Sequence, residues 1–467
     1  MCAKFILHFN PEVTYSELLA ENTIVLKCRE RQLTFNNSAP GLNSALNTLK
    51  CDRGATKKEL NQIVQQADGL SGLFLFNSYL KKLINLGWIS HGIDSWATAI
   101  PLSEDYQFVI PQIDWQEQIF SLSRFAYLHT IKGQMVLSSP LSKAQISLWD
   151  CQVVALIAKL AQAQTYQSLL SEFPQLTEAK IKLFLSLLLG TKMLEDNSHA
   201  SEENISLAQW EFHDLLFHSC SRQGRHNKPV GTTYRFQGQI KPTPALKKLT
   251  SSKTIQLFKP DLQRLKDNDL SLTEAIESRK SLRNYNALPI DSQQLGEFLY
   301  RTARVRQVTK LEEQEYTSRP YPNGGALYEL ELYPIINTCQ GIESGAYYYD
   351  PLAHQLCQLC KPNEHTAKLI KDAWYAAGKQ NKPQIIIAIA ARFSRVSWKY
   401  QSIAYSLILK HVGVLYQTMY LVATAMNLAP SALGSGNSDL FTKIVGTNYY
   451  TESSVGEFIL GSKQKLH

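Results

Sequence analysis

The chain opens with short stretches of β-branched and aromatic residues and then changes to a helical period. Residues 4–9, 23–29 and 32–35 predict a three-stranded meander. Leu42, Ala45, Leu46 and Leu49 then fall on one helical face. Thr56 and Glu59 form a capping-box pattern ahead of Leu60, Ile63 and Val64. Tyr79, Leu80, Leu83 and Leu86 make a third face, Gly87 ends it, and Trp88, Ile89, Ser90 and His91 read as an extended wing. Helix, helix, helix, wing is the order of a winged helix-turn-helix.

The same order returns about a hundred residues later. Residues 125–129 and 134–138 predict strands, and 150–161, 166–172 and 177–189 predict helices. Gly190 stops the last helix before Lys192, Met193 and Leu194, the place that Gly87 and its wing hold in the first copy. The pattern reads as a divergent internal duplication. Residues 206–221 predict one more helix, in which His213 and His218 are spaced for packing and not as a metal pair. Residues 223–248 are rich in Gly, Pro, Lys and Thr and read as a linker or wrapping arm.

Residues from about 250 onward have an α+β pattern. A helix starts at Thr273, residues 326–336 alternate as a strand, and 385–391 form a solid apolar run, as expected of a central strand covered on both faces. Ala404, Leu407, Ile408, His411, Leu415, Met419, Val422 and Met426 keep a helical period that is apolar on most of its circumference, as for a helix in the core or at a subunit interface. Residues 457–460 predict a last strand. The domain division expected is 1–100, 101–205, an arm at 206–250, and 251–467.

Composition narrows the function classes. In 467 residues, 44% are hydrophobic and 19% charged, an ordinary globular balance. The longest apolar run, 412–426, is interrupted by Gln417 and Thr418 and is shorter than the ~20 residues of a bilayer span. Residues 1–10 lack a signal core, and the eight cysteines are sparse, so a cytoplasmic location with reduced thiols and no membrane span is expected. Cys357 and Cys360 lie in a strand-like stretch with no second pair to complete a zinc site, so no metal is expected. The net charge of +8 is scattered without a basic run, which permits an anionic ligand without arguing for nucleic acid.

Four segments can carry chemistry. Arg279, Lys280, Ser281 and Arg283 put cations and a hydroxyl at a helix end; read alone this is a solvated cap, but it also suits a phosphate monoester. Tyr321, Pro322, Asn323, Gly324, Gly325 and Ala326 form a bare turn into a strand, where a flat ligand can lie on backbone with amides and Asn323 facing its polar edge. Lys399 and Tyr400 are an adjacent acid/base pair or, alternatively, an interfacial cation and aromatic. Leu433, Gly434, Ser435, Gly436 and Asn437 offer backbone donors or a plain turn.

In this order the four segments resemble the flavin-dependent nitroreductase superfamily, most closely its branch of azoline oxidases, the SagB-, McbC- and cyanobactin-type dehydrogenases. The resemblance covers about residues 270–461, and the stretch from Pro320 to Glu331 is its most specific part. It implies a nitroreductase-like flavin domain preceded by two winged-helix-like domains. It implies FMN, with Arg279, Lys280, Ser281 and Arg283 at the phosphate and ribityl chain, Pro322, Asn323 and Gly324 reaching the flavin from the partner subunit, and Leu433, Gly434 and Ser435 as late backbone contacts. Lys399 and Tyr400 match the catalytic pair, and Gln417 on the long helix implies a homodimer. Tyr405 is followed by Ser406 where the family often has Arg, and the Gly-His of the long helix becomes Gly413-Val414.

The implied reaction is dehydrogenation of thiazolines or oxazolines in a ribosomal precursor peptide, with oxygen as acceptor and the leader held by the N-terminal domains as an added strand. The rival readings are an NAD(P)H-dependent nitroreductase-like enzyme and a flavin-sensing winged-helix DNA-binding regulator. The few cations of the candidate recognition helices, Lys81 and Lys82 or Lys180 and Lys182, weigh against nucleic acid.

Overall fold

The computed structural model describes residues 5–18, 23–36, 38–51, 53–110, 112–195, 202–248, 251 and 253–464. The chain divides into two compact units, Met1–Lys228 and Pro229–His467.

The first unit contains β1 (Ile6–Phe9), β2 (Thr14–Leu18), β3 (Thr23–Cys28), β4 (Arg31–Phe35), α1 (Pro40–Lys50), β5 (Ala55–Thr56), α2 (Lys57–Asn85), β6 (Ile89–Ile93) and β7 (Ala97–Pro101). It continues with β8 (Tyr127–Ile131), β9 (Gln134–Ser138), β10 (Ala144–Leu148), α3 (Cys151–Lys159), α4 (Tyr166–Glu172), α5 (Glu178–Gly190), α6 (Glu202–Ala208) and α7 (Phe212–Cys220). One seven-stranded sheet, ordered β5-β1-β6-β7-β10-β9-β8, runs through it, and β2-β3-β4 form a separate three-stranded sheet.

The meander therefore differs from the expectation. Its first strand is β2, whose sequence Thr-Tyr-Ser-Glu-Leu carries little apolar signal because it is mostly exposed. The stretch expected to open the meander is instead β1, which pairs with β5 and β6; residue Lys4 of that stretch lies outside the described residues. The helices follow the sequence closely. The Thr56–Glu59 capping box forms, and Gly69 (φ 68°, ψ −165°) breaks α2 between the two expected helical faces. That backbone region is open essentially to glycine alone. Trp88–His91 extends into β6, whereas in the second half only Leu194 of the expected wing makes a bridge, to Leu122. The helix expected over 206–221 is split at Gln209–Glu211, where Trp210 turns its ring onto His218 at 5.6 Å.

The second unit contains β11 (Gly231–Thr232), β12 (Thr254–Gln256), α8 (Leu262–Asn268), α9 (Leu272–Ser278), α10 (Ser292–Ala303), the hairpin β13 (Gln307–Leu311) and β14 (Gln314–Ser318), β15 (Leu330–Ile336), β16 (Gly345–Asp350) and β17 (Gln355–Cys360). It ends with α11 (Glu364–Ala376), β18 (Ile385–Arg392), α12 (Phe393–Ser397), β19 (Tyr400–Gln401), α13 (Ala404–Ala425), β20 (Leu428–Leu433), α14 (Ser438–Val445) and β21 (Glu452–Ser462). Its main sheet is antiparallel, ordered β12-β17-β16-β15-β18-β21-β20.

The strand period of two explains how this sheet is covered. Ile385, Ile387 and Ile389 point into a core shared with Leu295 and Phe298 of α10 and Ile408, Val412 and Leu415 of α13. Ile386 points the other way, to Leu369 of α11 and Leu440 of α14. With helices on both faces, β15 and β18 are buried at every position, which is why residues 385–391 of β18 read as a continuous apolar run. Each buried isoleucine contributes about 1.5–3 kcal/mol. The sheet is thus a rigid floor, and the chemistry-bearing segments lie at its rim.

The arm expected at 223–248 is not a free connector beyond residue 229. β11 pairs with β19, so that Gly231 faces Gln401 and Thr232 faces Tyr400. Further along, Thr243 bonds Ser394 at 2.7 Å, Arg392 donates to the carbonyls of Pro244 and Ala245, and Lys247 donates to Tyr333 and Glu452.

Candidate active site

The turn between β14 and β15 is built under strain. Gly325 has φ 71°, and the non-glycine residues Ala326 and Tyr328 have φ 54° and 45°. Such left-handed residues cost roughly 1–3 kcal/mol each and persist where the surroundings over-determine them. Three side chains do so. Asn323 Oδ1 accepts the N–H groups of Leu327 and Tyr328 at 3.1 and 3.0 Å, while its amide donates to Glu329 at 2.9 Å. The N–H of Gly324 donates to His411 Nε2 at 2.8 Å, and His411 Nδ1 lies 2.7 Å from Glu329 Oε1. These roles give His411 its proton on Nδ1. The third is Arg395, 1% exposed, which donates to the carbonyls of Leu327 (2.5 and 3.1 Å), Glu315 (3.0 Å) and Thr243 (2.7 Å).

Arg395 therefore joins three separate segments: the turn, β14 and the arm. Burial lowers its pKa to about 10, with the neighbouring cations of Arg392 and Arg319 acting in the same direction. It remains a cation at neutral pH, and of the carbonyls it bonds that of Leu327 is buried while those of Glu315 and Thr243 are part-buried.

The bare backbone of the turn meets Lys399 and Tyr400. A Cβ on Gly325 would lie 2.6 Å from the Tyr400 hydroxyl and 3.2 Å from Lys399 Nζ. Lys399 and Tyr400 thus converge on the glycine turn from the short segment between α12 and α13. Pro322 and Gly325 are exposed there. Asn323 is occupied on both sides of its amide within the turn, so its side chain shapes the backbone and does not face outward as the sequence suggested.

The basic cluster lies at the other end of α13. Tyr420 is its hub: its hydroxyl bonds Ser281 Oγ at 2.8 Å and receives the N–H of Ala432 at 2.7 Å, and the Arg279 guanidinium lies 5.2 Å from its ring centroid. The N–H of Leu282 donates to Pro430. Arg279, Ser281 and Arg283 are thereby gathered beside β20, whose end carries Leu433, Gly434 and Ser435. Lys280 is exposed. Arg283 Nε is buried without a partner, a donor left over for a ligand. Leu433 is buried, whereas Gly434 and Ser435 are exposed, and a Cβ on Gly434 would meet nothing. In that turn the crowded glycine is Gly436, against the buried carboxylate of Glu457, whose pKa burial raises. By helical rise His411 and Tyr420 are roughly 13 Å apart along α13, so one helix carries both the turn and the basic cluster.

Sequence reasoning did not single out Arg395, Tyr420, Glu329 or the site role of His411. A usable signal existed for two of them: a histidine on an apolar helical face and a carboxylate entering an apolar strand both require partners. Among the described residues no group of three His, Cys, Asp or Glu side chains could hold a metal ion, and no helix is long and apolar enough to cross a membrane.

Residues 1–110 match the model of the ThcOx helix turn helix domain, 120–227 that of the cyanobactin oxidase ThcOx, and 276–461 that of the nitroreductase family. Over 185 residues the chain is 25% identical to a Methanocaldococcus jannaschii protein named as a nitroreductase, covering 39% of this chain and 85% of that one. Over 136 residues it is 27% identical to the microcin B17-processing protein McbC of Escherichia coli, covering 27% of this chain and 49% of McbC. Among solved structures, the E. coli microcin synthetase McbBCD complex with truncated pro-MccB17 bound aligns with 57% of this chain and 95% of the matched chain, at 15% identity and a TM-score of 0.34. A Ralstonia eutropha protein named as a nitroreductase aligns with 51% and 100%, at 18% identity and a TM-score of 0.37. The second unit carries a nitroreductase-family domain, and that family implies a flavin.

Replacing Arg395 by Met should lower the stability of the second unit by about 3 kcal/mol, because the buried Leu327 carbonyl and the part-buried carbonyls of Glu315 and Thr243 lose a charged donor. Urea unfolding of the full chain, with proteolysis of residues 231–248 as a local readout, measures this; an unchanged midpoint and an unchanged cleavage rate would remove Arg395 from the role.

Proposed function

We propose that this chain, an azoline oxidase of the nitroreductase superfamily with N-terminal helix-turn-helix domains, converts peptide-bound thiazolines or oxazolines into thiazoles or oxazoles with FMN as its flavin. The observation that carries the reading is the meeting of Lys399 Nζ and the Tyr400 hydroxyl on the open backbone of Gly325.

The residues present fit the cofactor. Two guanidinium groups, one with a buried unpaired Nε, and the hydroxyls of Ser281 and Tyr420 suit a phosphate monoester. No dinucleotide fingerprint accompanies them, which favours FMN over FAD. Arg279, Lys280, Ser281 and Arg283 would hold the phosphate end, with Leu433, Gly434 and Ser435 beside it, and Pro322, Asn323 and Gly324 would present backbone to the ring system. A flavin bound there supplies the hydride acceptor.

Aromatising an azoline removes a proton and a hydride from adjacent ring carbons. Lys399 and Tyr400 are the groups at the turn able to take the proton. His411 and Glu329 keep the Gly324 amide pointed into the helix, so the turn keeps its shape while substrate binds. Dioxygen is the terminal electron acceptor in this reading, and no nicotinamide is required.

Two further parts of the reading have physical support. Along α13, Tyr405 (46% exposed), Leu409 (39%), Gly413 and Gln417 form one open row at i,i+4 spacing, suited to the same row of a second copy in a homodimer that shares each flavin. In the first unit, β2 and β4 are mostly exposed edges of a three-stranded sheet, suited to an extended leader segment as an added strand. In this reading residues 1–100 and 101–205 are the peptide clamps, 206–250 the arm and 251–467 the flavin domain. The location is cytoplasmic, consistent with the free thiols of all seven described cysteines. DNA is not a partner.

Four measurements test these points. The full chain should purify with FMN, and the double variant Arg279→Ala, Arg283→Ala should lose it while keeping its circular dichroism; FAD, or full occupancy in the variant, would refute the assignment. Lys399→Leu and Tyr400→Phe should keep FMN yet slow the loss of two hydrogens from an azoline peptide, followed by mass spectrometry, by ~10²–10⁴-fold. Wild-type rates in both would end the catalytic reading, and a free leader peptide that fails to compete where duplex DNA does would overturn the clamp reading. Light scattering should give a dimer at micromolar concentration; an FMN-loaded monomer would exclude the shared site.

A further inference from the structure

Lys399 is surrounded by rings. Its Nζ lies 5.3 Å from the ring centroid of Tyr316, 5.6 Å from that of Tyr400 and 5.8 Å from that of Tyr234. Tyr316 belongs to β14 and Tyr400 to β19, both parts of the site already described. Tyr234 comes from the arm, and the local structure holds it there. The carbonyl of Lys399 itself accepts the N–H groups of Thr233 and Tyr234 at 3.0 and 3.3 Å. The ring of Trp398 meets that of Tyr234 edge-on at 5.7 Å, and Trp398 Nε1 donates to Ile240 of the same arm at 2.6 Å. Tyr234 adopts φ 48°, a left-handed conformation unusual for a tyrosine, between the β11–β19 pairing and these contacts.

We infer that Tyr234 is a positioning residue for Lys399, closing with Tyr316 and Tyr400 an aromatic cage around its ammonium, so that segment 231–240 governs turnover and does more than connect two units. The inference rests on the reading of Lys399 and Tyr400 as the acid/base pair. Its physical basis is the flexibility of a lysine stem, which has several rotatable bonds and no fixed head-group geometry. Ring faces attract an ammonium over a short range and give it one preferred place. The opposite side is limited by the Gly325 backbone. A misplacement of about 1 Å in a reacting group can cost ~10²-fold in rate. The ring face meets the ammonium, whereas the hydroxyl reaches only Tyr316, so a phenylalanine should keep most of the function and an aliphatic residue should not.

The test uses the full chain with Tyr234→Leu and Tyr234→Phe. In the flavin-loaded enzyme, Tyr234→Leu should lower kcat for an azoline peptide by about 10–100-fold with KM and flavin content unchanged, and Tyr234→Phe should recover most of that loss. Should the leucine variant not fold, Tyr234→Met takes its place. The second readout needs no flavin: acylation of Lys399 by an amine-reactive succinimidyl ester, followed by peptide mass spectrometry, should be faster in Tyr234→Leu than in the wild type or Tyr234→Phe. Unchanged kcat with unchanged labelling, or equal damage in the leucine and phenylalanine variants, would overturn the inference. Wild-type turnover in Lys399→Leu would instead defeat the catalytic reading of the pair, and the labelling would still report whether Tyr234 covers the amine.

Discussion

The second unit depends on a buried cation bonded to backbone. Arg395 sits under the site with its guanidinium divided among carbonyls of the glycine turn, β14 and the arm. A neutral side chain could not satisfy three acceptors from three directions. A flexible ammonium would not span them with the fixed fork that guanidinium provides. The burial that shifts its pKa downward is the burial that makes each of these bonds costly to lose. Removing that one group would take a hold from the arm, the turn and the hairpin at once.

The strain of the turn follows from this anchoring. Left-handed residues at Gly325, Ala326 and Tyr328 fold the backbone back so that Gly325 faces Lys399 and Tyr400. Asn323, His411 with Glu329, and Arg395 each hold a different backbone group of the same turn. The result is a surface of bare backbone, rigid on its inner side and open on its outer side, next to an ammonium and a phenol. In the proposed reading this surface receives the flat ring system of the cofactor and leaves Lys399 and Tyr400 beside it.

Helix α13 extends the arrangement lengthwise. His411 supports the turn near its start and Tyr420 gathers Arg279, Ser281 and the β20 backbone near its end. Its inner face is fixed by Ile408, Val412, Leu415 and Met419 against the sheet. Both halves of the candidate cofactor site therefore take their spacing from a single rigid element packed on β15 and β18. In the proposed homodimer, the exposed row on its outer face is the side that meets the second copy.

Much of this was legible in the sequence wherever a local period or a local constraint determined the outcome. The apolar runs of β18 and α13, the Thr56–Glu59 cap and the glycine turn before β15 each follow from residues a few positions apart. The four chemical segments could be named for the same reason, since each is contiguous. What the sequence did not determine was partnership. Strand β2 has too few buried side chains to announce itself, and β1 joined another sheet because pairing is a long-range choice. The occupation of Asn323 within its own turn, the arm lying along residues 392–401, Tyr420 as hub of the basic cluster and the cage around Lys399 all join residues remote in the chain. Those contacts exist only once the sheet and α13 have set the distances, because hydrogen bonds and ring contacts act over a few ångströms and carry no mark in the chain of where their partner stands.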